Sequence, residues 1–246
     1  MIFKQSVAPA RQQSRVVSKA QFNGVVTDLF EAAEGSMPRP QAFLVEQTSN
    51  WTLPTHFHVE HQFQVFVAGS GHIGKNLLQP LTVHYSSPHT GYGPLISGDD
   101  GVSYLTLRAM SDVGAWYLPE ARESLLVRIK KQQAHGLPGT SVTEQELLAL
   151  TQAYQETLIA MDSGGLAAWL VRLPPGAQMA APLGQELGGG RFYVVTQGSL
   201  IANDQALPGL AVMFVSADET VDLLAGAEGL ELMILQFPSA ALLPLA

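Results

Sequence analysis

The chain has no cysteine. Disulfides, thiolate nucleophiles and thiolate metal ligands are therefore excluded, and any site must be built from His, Asp, Glu, Gln and Tyr. Charge is scarce too: only 14% of residues are Asp, Glu, Lys or Arg, with 13 Lys plus Arg against 21 Asp plus Glu and a formal net charge of −8. The basic residues are scattered apart from Arg128, Lys130 and Lys131. A phosphate backbone demands a concentrated basic surface, so no nucleic-acid partner is expected. No stretch supplies the roughly 20 unbroken apolar residues of a membrane-spanning helix. The greasy "LELMILQFPSAALLPLA" is interrupted by Glu231, Pro238 and Pro244. The opening "MIFKQSVAPARQQSRVVSKA" holds no continuous apolar segment of the secretory kind. These absences predict a cytoplasmic protein with no membrane association.

What is present is apolar material. At 246 residues and 46% apolar composition, the chain can build one large core or two of ordinary size. Few charges on so apolar a chain suit a surface partly covered by a second subunit, and a homodimer is expected. Residues 1–35 read as an N-terminal arm with a strand-like "FNGVVTDLFEA", able to add a strand to a neighbouring barrel or subunit. Residues 36–118 hold short apolar runs, "AFLVEQ", "FQVFVAG", "LTVHY" and "VSYLTLR", cut by Gly and Pro in the manner of an antiparallel sandwich or barrel.

Residues 119–165 carry a different pattern. Pro119 opens "PEARESLLVRIKKQ", with Leu125, Leu126 and Ile129 on one helical face. In "SVTEQELLALTQAYQETLIAMDSGG", Ser141 and Glu144 have capping-box spacing. Leu147, Leu148, Leu150, Tyr154, Leu158 and Met161 approximate an apolar stripe that Gly164 and Gly165 stop. The pattern predicts a helical connector, with His135 at its C-terminal cap. From 166 to 246 the strand-like runs return. "QFQVFVAGSGHIG" and "RFYVVTQGSLIAN" each lead through an aromatic-rich strand to a Gly, Gly69 or Gly198, then a Ser and a further strand. This correspondence predicts a tandem duplication of one β-unit.

The densest chemistry lies in "PTHFHVEHQFQVFVAGSG", residues 54 to 71. His56 and His58 sit two apart, so on a strand both imidazoles share one face, with Cα atoms roughly 7 Å apart. Two such rings can grip a metal through bonds of about 2.0–2.2 Å if a neighbouring strand supplies a third ligand. Gln62 begins the next strand and can reach the same hollow, whereas Glu60 and His61 fall in the turn. An isolated H-x-H is more often the polar outer face of a strand. "TGYGPL" supplies a sharp reversal, and its Tyr92 could equally be a core aromatic. His72 in "GSGHIGKN" reads as solvent-facing. "GGG" at 188–190 lacks the Lys and helix of a phosphate loop and reads as a turn.

The stretch from His56 through His58 and Gln62 to Gly69 resembles the first motif of the cupins, H-x-H followed by Glu and then Gly, with Gln62 at the Glu position. "LQPLTVHYSSPHTGYGP" resembles the second motif, with Tyr92 near the place of its His and with His84 and His89 as nearby alternatives. The same template laid on Gly198 puts Gln185, Leu187 and Arg191 at the ligand positions, and Leu187 cannot ligate. The resemblance implies an all-β fold: two tandem cupin-like (jelly-roll, double-stranded β-helix) barrels joined by a short helical linker, the second without a ligand set. It implies a divalent metal, Fe, Zn, Mn or Ni, held by His56, His58, Gln62 and Tyr92, or His84 in its place. No nucleotide or organic cofactor is expected. The neutral Gln62 would leave such a centre positive and receptive to an anionic small molecule. The function implied is a metal-dependent oxygenase- or isomerase-type enzyme. The alternative is a non-catalytic small-molecule binding or sensing protein without a functional metal. Catalytic residues are not assigned from sequence.

Overall fold

The structure is a computed structural model that describes residues 1–30, 39–125, 129–182 and 188–242. They form two compact units, residues 11–136, and residues 1–10 together with 137–246. The chain opens with strand β1 (Ile2–Ser6) and the short helix α1 (Val7–Ala10), both belonging to the second of these units.

Residues 11–136 carry β2 (Arg15–Ser18), β3 (Asn23–Phe30), β4 (Gln41–Gln47), β5 (Thr52–Leu53), β6 (His56–Phe57), β7 (Gln62–Ile73), β8 (Asn76–Leu78), β9 (Val83–Ser86), β10 (Leu95–Arg108), β11 (Trp116–Tyr117) and β12 (Gln133–Gly136). Their sheet runs β12-β9-β7-β10-β4-β3-β2, with β5 on β10, β8 on β7, and β6 paired separately with β11. Period-2 alternation sets the faces. In β7, Gln62 and Gln64 line an internal cavity, while Phe63 and Val65 are buried on the opposite face. In β10, Tyr104, Thr106 and Arg108 line the same cavity and Leu105 and Leu107 are buried behind them. The apolar floor is a cluster that includes Val45, Leu53, Phe66, Ile73, Leu95 and Val102.

The other unit contains β1 with β13 (Tyr154–Ile159), β14 (Ala167–Leu173), β15 (Gln178–Ala180), β16 (Gly188–Ala202), β17 (Gln205–Pro208), β18 (Ala211–Val215) and β19 (Asp222–Pro238). Its order is β1-β18-β16-β19-β14-β13, with β15 on β19 and β17 on β16. Strand for strand, this repeats the order β12-β9-β7-β10-β4-β3. One backbone device recurs as well. Gly69 has φ +73° and an added Cβ would meet the Gly101 carbonyl oxygen at 2.2 Å; Gly198 has φ +67° and would meet that of Gly229 at 2.1 Å. Only glycine fits either place. Both sheets are jelly-roll-like and mostly antiparallel β.

The expected helical connector is not what the chain builds. Among the described residues of 119–165 there is one turn of 3₁₀ helix (Arg122–Ser124), then β12, a five-residue helix α2 (Glu144–Leu148) and β13. The capping box forms at Thr143 and Glu146: the Glu146 amide donates to Thr143 Oγ1 at 3.2 Å, and the Thr143 amide donates to Glu146 Oε2 at 2.7 Å. Of the proposed stripe, Leu147 is buried and Leu148 is 55% exposed. The helix stops because Tyr154–Ile159 pairs antiparallel with β14, and ladder hydrogen bonds there outweigh a weak helical preference. Leu126 lies outside the described residues. His135 is a strand residue in β12, opposite His84, and not a helix cap. Gly188–Gly190 open β16 and form no turn. Among the described residues no helix is long and apolar enough to cross a membrane.

Candidate functional site

The cavity in residues 11–136 has a volume of about 440 Å³ and is lined by, among others, His56, His58, Gln62, Tyr92, Arg108 and Asp112. Backbone pairing places the first of these. His56 and Tyr92 exchange both main-chain hydrogen bonds, at 3.1 and 3.0 Å, and the His58 carbonyl accepts from the His89 amide at 2.7 Å. The His56 and His58 ring centroids are 5.4 Å apart, and the Tyr92 ring lies 4.5 Å from His56 and 6.4 Å from His58.

Hydrogen bonding fixes the donors. His56 Nδ1 lies 2.8 Å from the Pro54 carbonyl, which can only accept, so Nδ1 carries the hydrogen. His56 Nε2 then accepts from the Tyr92 hydroxyl at 3.0 Å, and Tyr92 Oη accepts from Gln62 Nε2 at 2.7 Å. Gln62 Oε1 accepts from Arg108 twice, from Nε at 3.1 Å and from Nη2 at 2.5 Å, while Arg108 Nη1 donates to Gln41 Oε1 at 2.5 Å. His58 Nδ1 donates to Asp112 Oδ2. Arg108 Nη2 sits 3.2 and 3.4 Å from His58 Nδ1 and Nε2, of which only Nε2 keeps a lone pair. The Arg108–Asp112 separation is 3.7 Å.

Burial dominates the protonation behaviour. It lowers His56 to about 3, with His58 adding to the effect, and lowers His58 to about 4, with Arg108 adding and Asp112 opposing. Both imidazoles are neutral at pH 7. The Tyr92 phenol is pushed up by burial and stays protonated. Burial would raise Asp112, but its hydrogen bond to His58 and the Arg108 charge prevail and hold it below the ordinary carboxylate value. Glu60, outside the cavity lining, is raised to about 7 by burial and by the charge of Asp112.

The remaining candidates are held by other partners, although the His84 ring also meets the Tyr92 ring edge-on at 4.8 Å. His84 is fully buried but does not line the cavity: Nδ1 donates to Gln64 Oε1 at 2.8 Å, and the ring stacks on His135 at 4.6 Å. His89 Nδ1 donates to the Ser124 carbonyl at 3.1 Å and its ring stacks on Phe57. His61 hydrogen-bonds Tyr85 at 2.5 Å, and His72 is exposed on β7. In the second unit, Arg191 is 3% exposed, donates Nε to Gln236 Oε1 at 2.7 Å and lies over the Trp169 ring. Gln185 and Leu187 lie outside the described residues. Sequence reading missed Arg108, Asp112, Gln41 and Tyr117. Alternation in "VSYLTLR" puts Arg108 on the face of Tyr104 and Thr106 and could have revealed it. Asp112 stands in a loop with no such periodicity.

The arrangement does not fit a divalent metal. Among the described residues no group of three or more His, Cys, Asp or Glu is placed to hold one. The one oxygen that Gln62 could give is taken twice by Arg108, and the free nitrogen of His56 is taken by Tyr92. A metal on His58 would stand beside a permanent guanidinium charge, a repulsion of several kcal/mol at a protein-like dielectric.

No family model matches the chain, and no curated protein matches its sequence. Solved structures match its fold. The bacterial pirin of Escherichia coli, in complex with nickel(II), aligns with TM-score 0.59 and 11% identity over 97% of this chain and 99% of that one. The oxalate decarboxylase of Lactobacillus farciminis, in a formate complex, aligns with TM-score 0.59 and 11% identity over 96% and 86%. Salicylate 1,2-dioxygenase of Pseudoaminobacter salicylatoxidans aligns with TM-score 0.57 and 11% identity over 96% and 81%. The chain has the cupin fold that these structures share.

Proposed function

We propose that the cavity of residues 11–136 takes a small organic anion, recognised by Arg108 without a metal ion. One observation carries this reading: a guanidinium, that of Arg108, is buried in the cavity lining of a chain whose net charge is −8. That lining holds Arg15, Lys19 and Arg108 against Asp28 and Asp112, three charges against two, with the imidazoles neutral. Asp28 is held by Arg15 at 2.8 Å, and Asp112 stands 3.7 Å from Arg108. Phe22, Phe43, Val45, Tyr104 and Tyr117 supply apolar walls for the body of a carboxylate, in a volume ordinary for a small-molecule site. The chain is then a two-barrel cupin that binds or senses its ligand through the first barrel. Among the described residues, the second barrel offers Arg191 at the equivalent place. Homodimerisation belongs to the same proposal, tested by light scattering on the purified chain; a 26.3 kDa species alone would remove it.

A second reading, a metal-dependent oxygenase or isomerase, draws support from the turn of His56 and His58 into one cavity beside Gln62 and Tyr92. It requires Arg108 to leave Gln62. Thermal-shift titration with formate, malonate and benzoate decides between the two. The first reading expects at least one of these anions to raise the melting temperature of the wild type, with benzamide inert and the response lost in Arg108→Met. Stoichiometric metal in untagged protein, with no response to any anion, would replace it by the second.

A further inference from the structure

We infer that the Arg108 guanidinium is a built-in cation that holds the place a metal ion would take, so that Arg108 and metal exclude each other. This deepens the reading above but does not depend on the identity of the anion. The donor atoms argue for it directly. Gln62 Oε1 receives Nε and Nη2 of Arg108, and Gln41 Oε1 receives Nη1. His58 Nε2 faces Nη2 at 3.4 Å. The side chain is 3% exposed, and its fork engages the groups that would otherwise turn their lone pairs on a dissolved ion.

The second unit supplies an independent observation. Counting seven residues back from Gly69 and from Gly198 gives Gln62 and Arg191. Across the sheet, Val102 pairs with Gly69 and Leu230 with Gly198, and six residues further on stand Arg108 and Gln236. The same cross-strand position therefore holds a Gln–Arg pair in one unit and an Arg–Gln pair in the other. In both, the guanidinium donates Nε to the amide oxygen, at 3.1 and 2.7 Å. The direction of the pair has been exchanged and the internal cation has been kept.

The test is equilibrium dialysis of the full chain against Mn²⁺, Ni²⁺ and Zn²⁺, with metal counted by mass spectrometry. The wild type is expected to retain far less than one equivalent of each. Arg108→Met and Arg108→Gln, which free Gln62 and remove the charge, are expected to bind at least one of these ions about 100-fold more tightly. That gain should vanish when His58→Ala is added. One tightly held equivalent in the wild type overturns the inference without recourse to any variant. So does a folded Arg108→Met or Arg108→Gln, checked by circular dichroism, that gains no metal affinity. Benzoate and malonate titrations of the wild type report separately on the ligand proposal. Metal exclusion without anion binding would remove that proposal and leave this inference standing.

Discussion

The Tyr92 hydroxyl joins two residues from different strands: it donates to His56 Nε2 at 3.0 Å and accepts from Gln62 Nε2 at 2.7 Å. All three groups are buried. Tyr92→Phe keeps the ring and leaves both partners without this bond, a loss of about 1–3 kcal/mol. Urea unfolding should show the midpoint falling accordingly. A stability equal to the wild type would mean that the hydroxyl bridges nothing.

Glu60 gives a pH dependence. Its carboxyl is raised to about 7 by burial and by Asp112, so between pH 4.5 and 7 the folded state binds more protons than the unfolded chain. Stability from this group therefore falls as pH rises through that window. Glu60→Gln should match the wild type near pH 4 and exceed it near pH 8, by about 1 kcal/mol after allowance for solvent screening at a part-exposed site. Unfolding midpoints at the two pH values check the sign. A variant less stable than the wild type at the higher pH would contradict it.

Gly198→Ala should destabilise by about 2–4 kcal/mol, because positive φ and a backbone carbonyl 2.1 Å from the new Cβ act together. Gly176→Ala separates the two causes. That residue also has positive φ, +67°, but nothing lies within 4 Å of its Cβ, and about 1–2 kcal/mol is expected. Equal losses in calorimetry would show that the carbonyl contact adds nothing.

In the second unit, Glu231 meets Arg172 Nε at 2.8 Å with both side chains buried, and Thr196 Oγ1 donates to its other oxygen at 2.7 Å. Glu231→Leu removes the carboxylate from a guanidinium that keeps only its Thr140 hydrogen bonds and the Tyr154 ring, and should cost about 3 kcal/mol. The double variant Arg172→Met/Glu231→Leu should recover most of that loss, and a double-mutant cycle measures the coupling. Simple additivity of the two single losses would mean that the pair is not coupled.

The spacing of His56, His58, Gln62 and Gly69 made the cavity legible, because a period-2 strand and a turn leave those side chains few directions. What spacing could not show was the occupant. Arg108 lies 46 residues from Gln62, and its arrival at Oε1 depends on β10 pairing with β7 in one register. Asp112 sits in the loop beyond that strand, where no periodicity limits the side chain. A helical connector fails to form for a related reason. Tyr154–Ile159 carries residues that a helix tolerates, and β14 claims them as a strand through pairing absent from any local window. The repeat was legible in Gly69 and Gly198, whereas the paired glycines Gly101 and Gly229 reveal their equivalence through φ of +75° and +78°.

The antiparallel pairing of β1 with β18, Ile2 opposite Val215, has a consequence for how the polypeptide is made. Ile2–Ser6 leave the ribosome roughly 200 residues before Ala211–Val215, and synthesis at about 5–20 residues per second leaves that strand waiting for its mate for tens of seconds. Residues 11–136 can close in the meantime. A strand translated before residues 11–136 is thus among the last to find its place, since its mate, Ala211–Val215, is made after them.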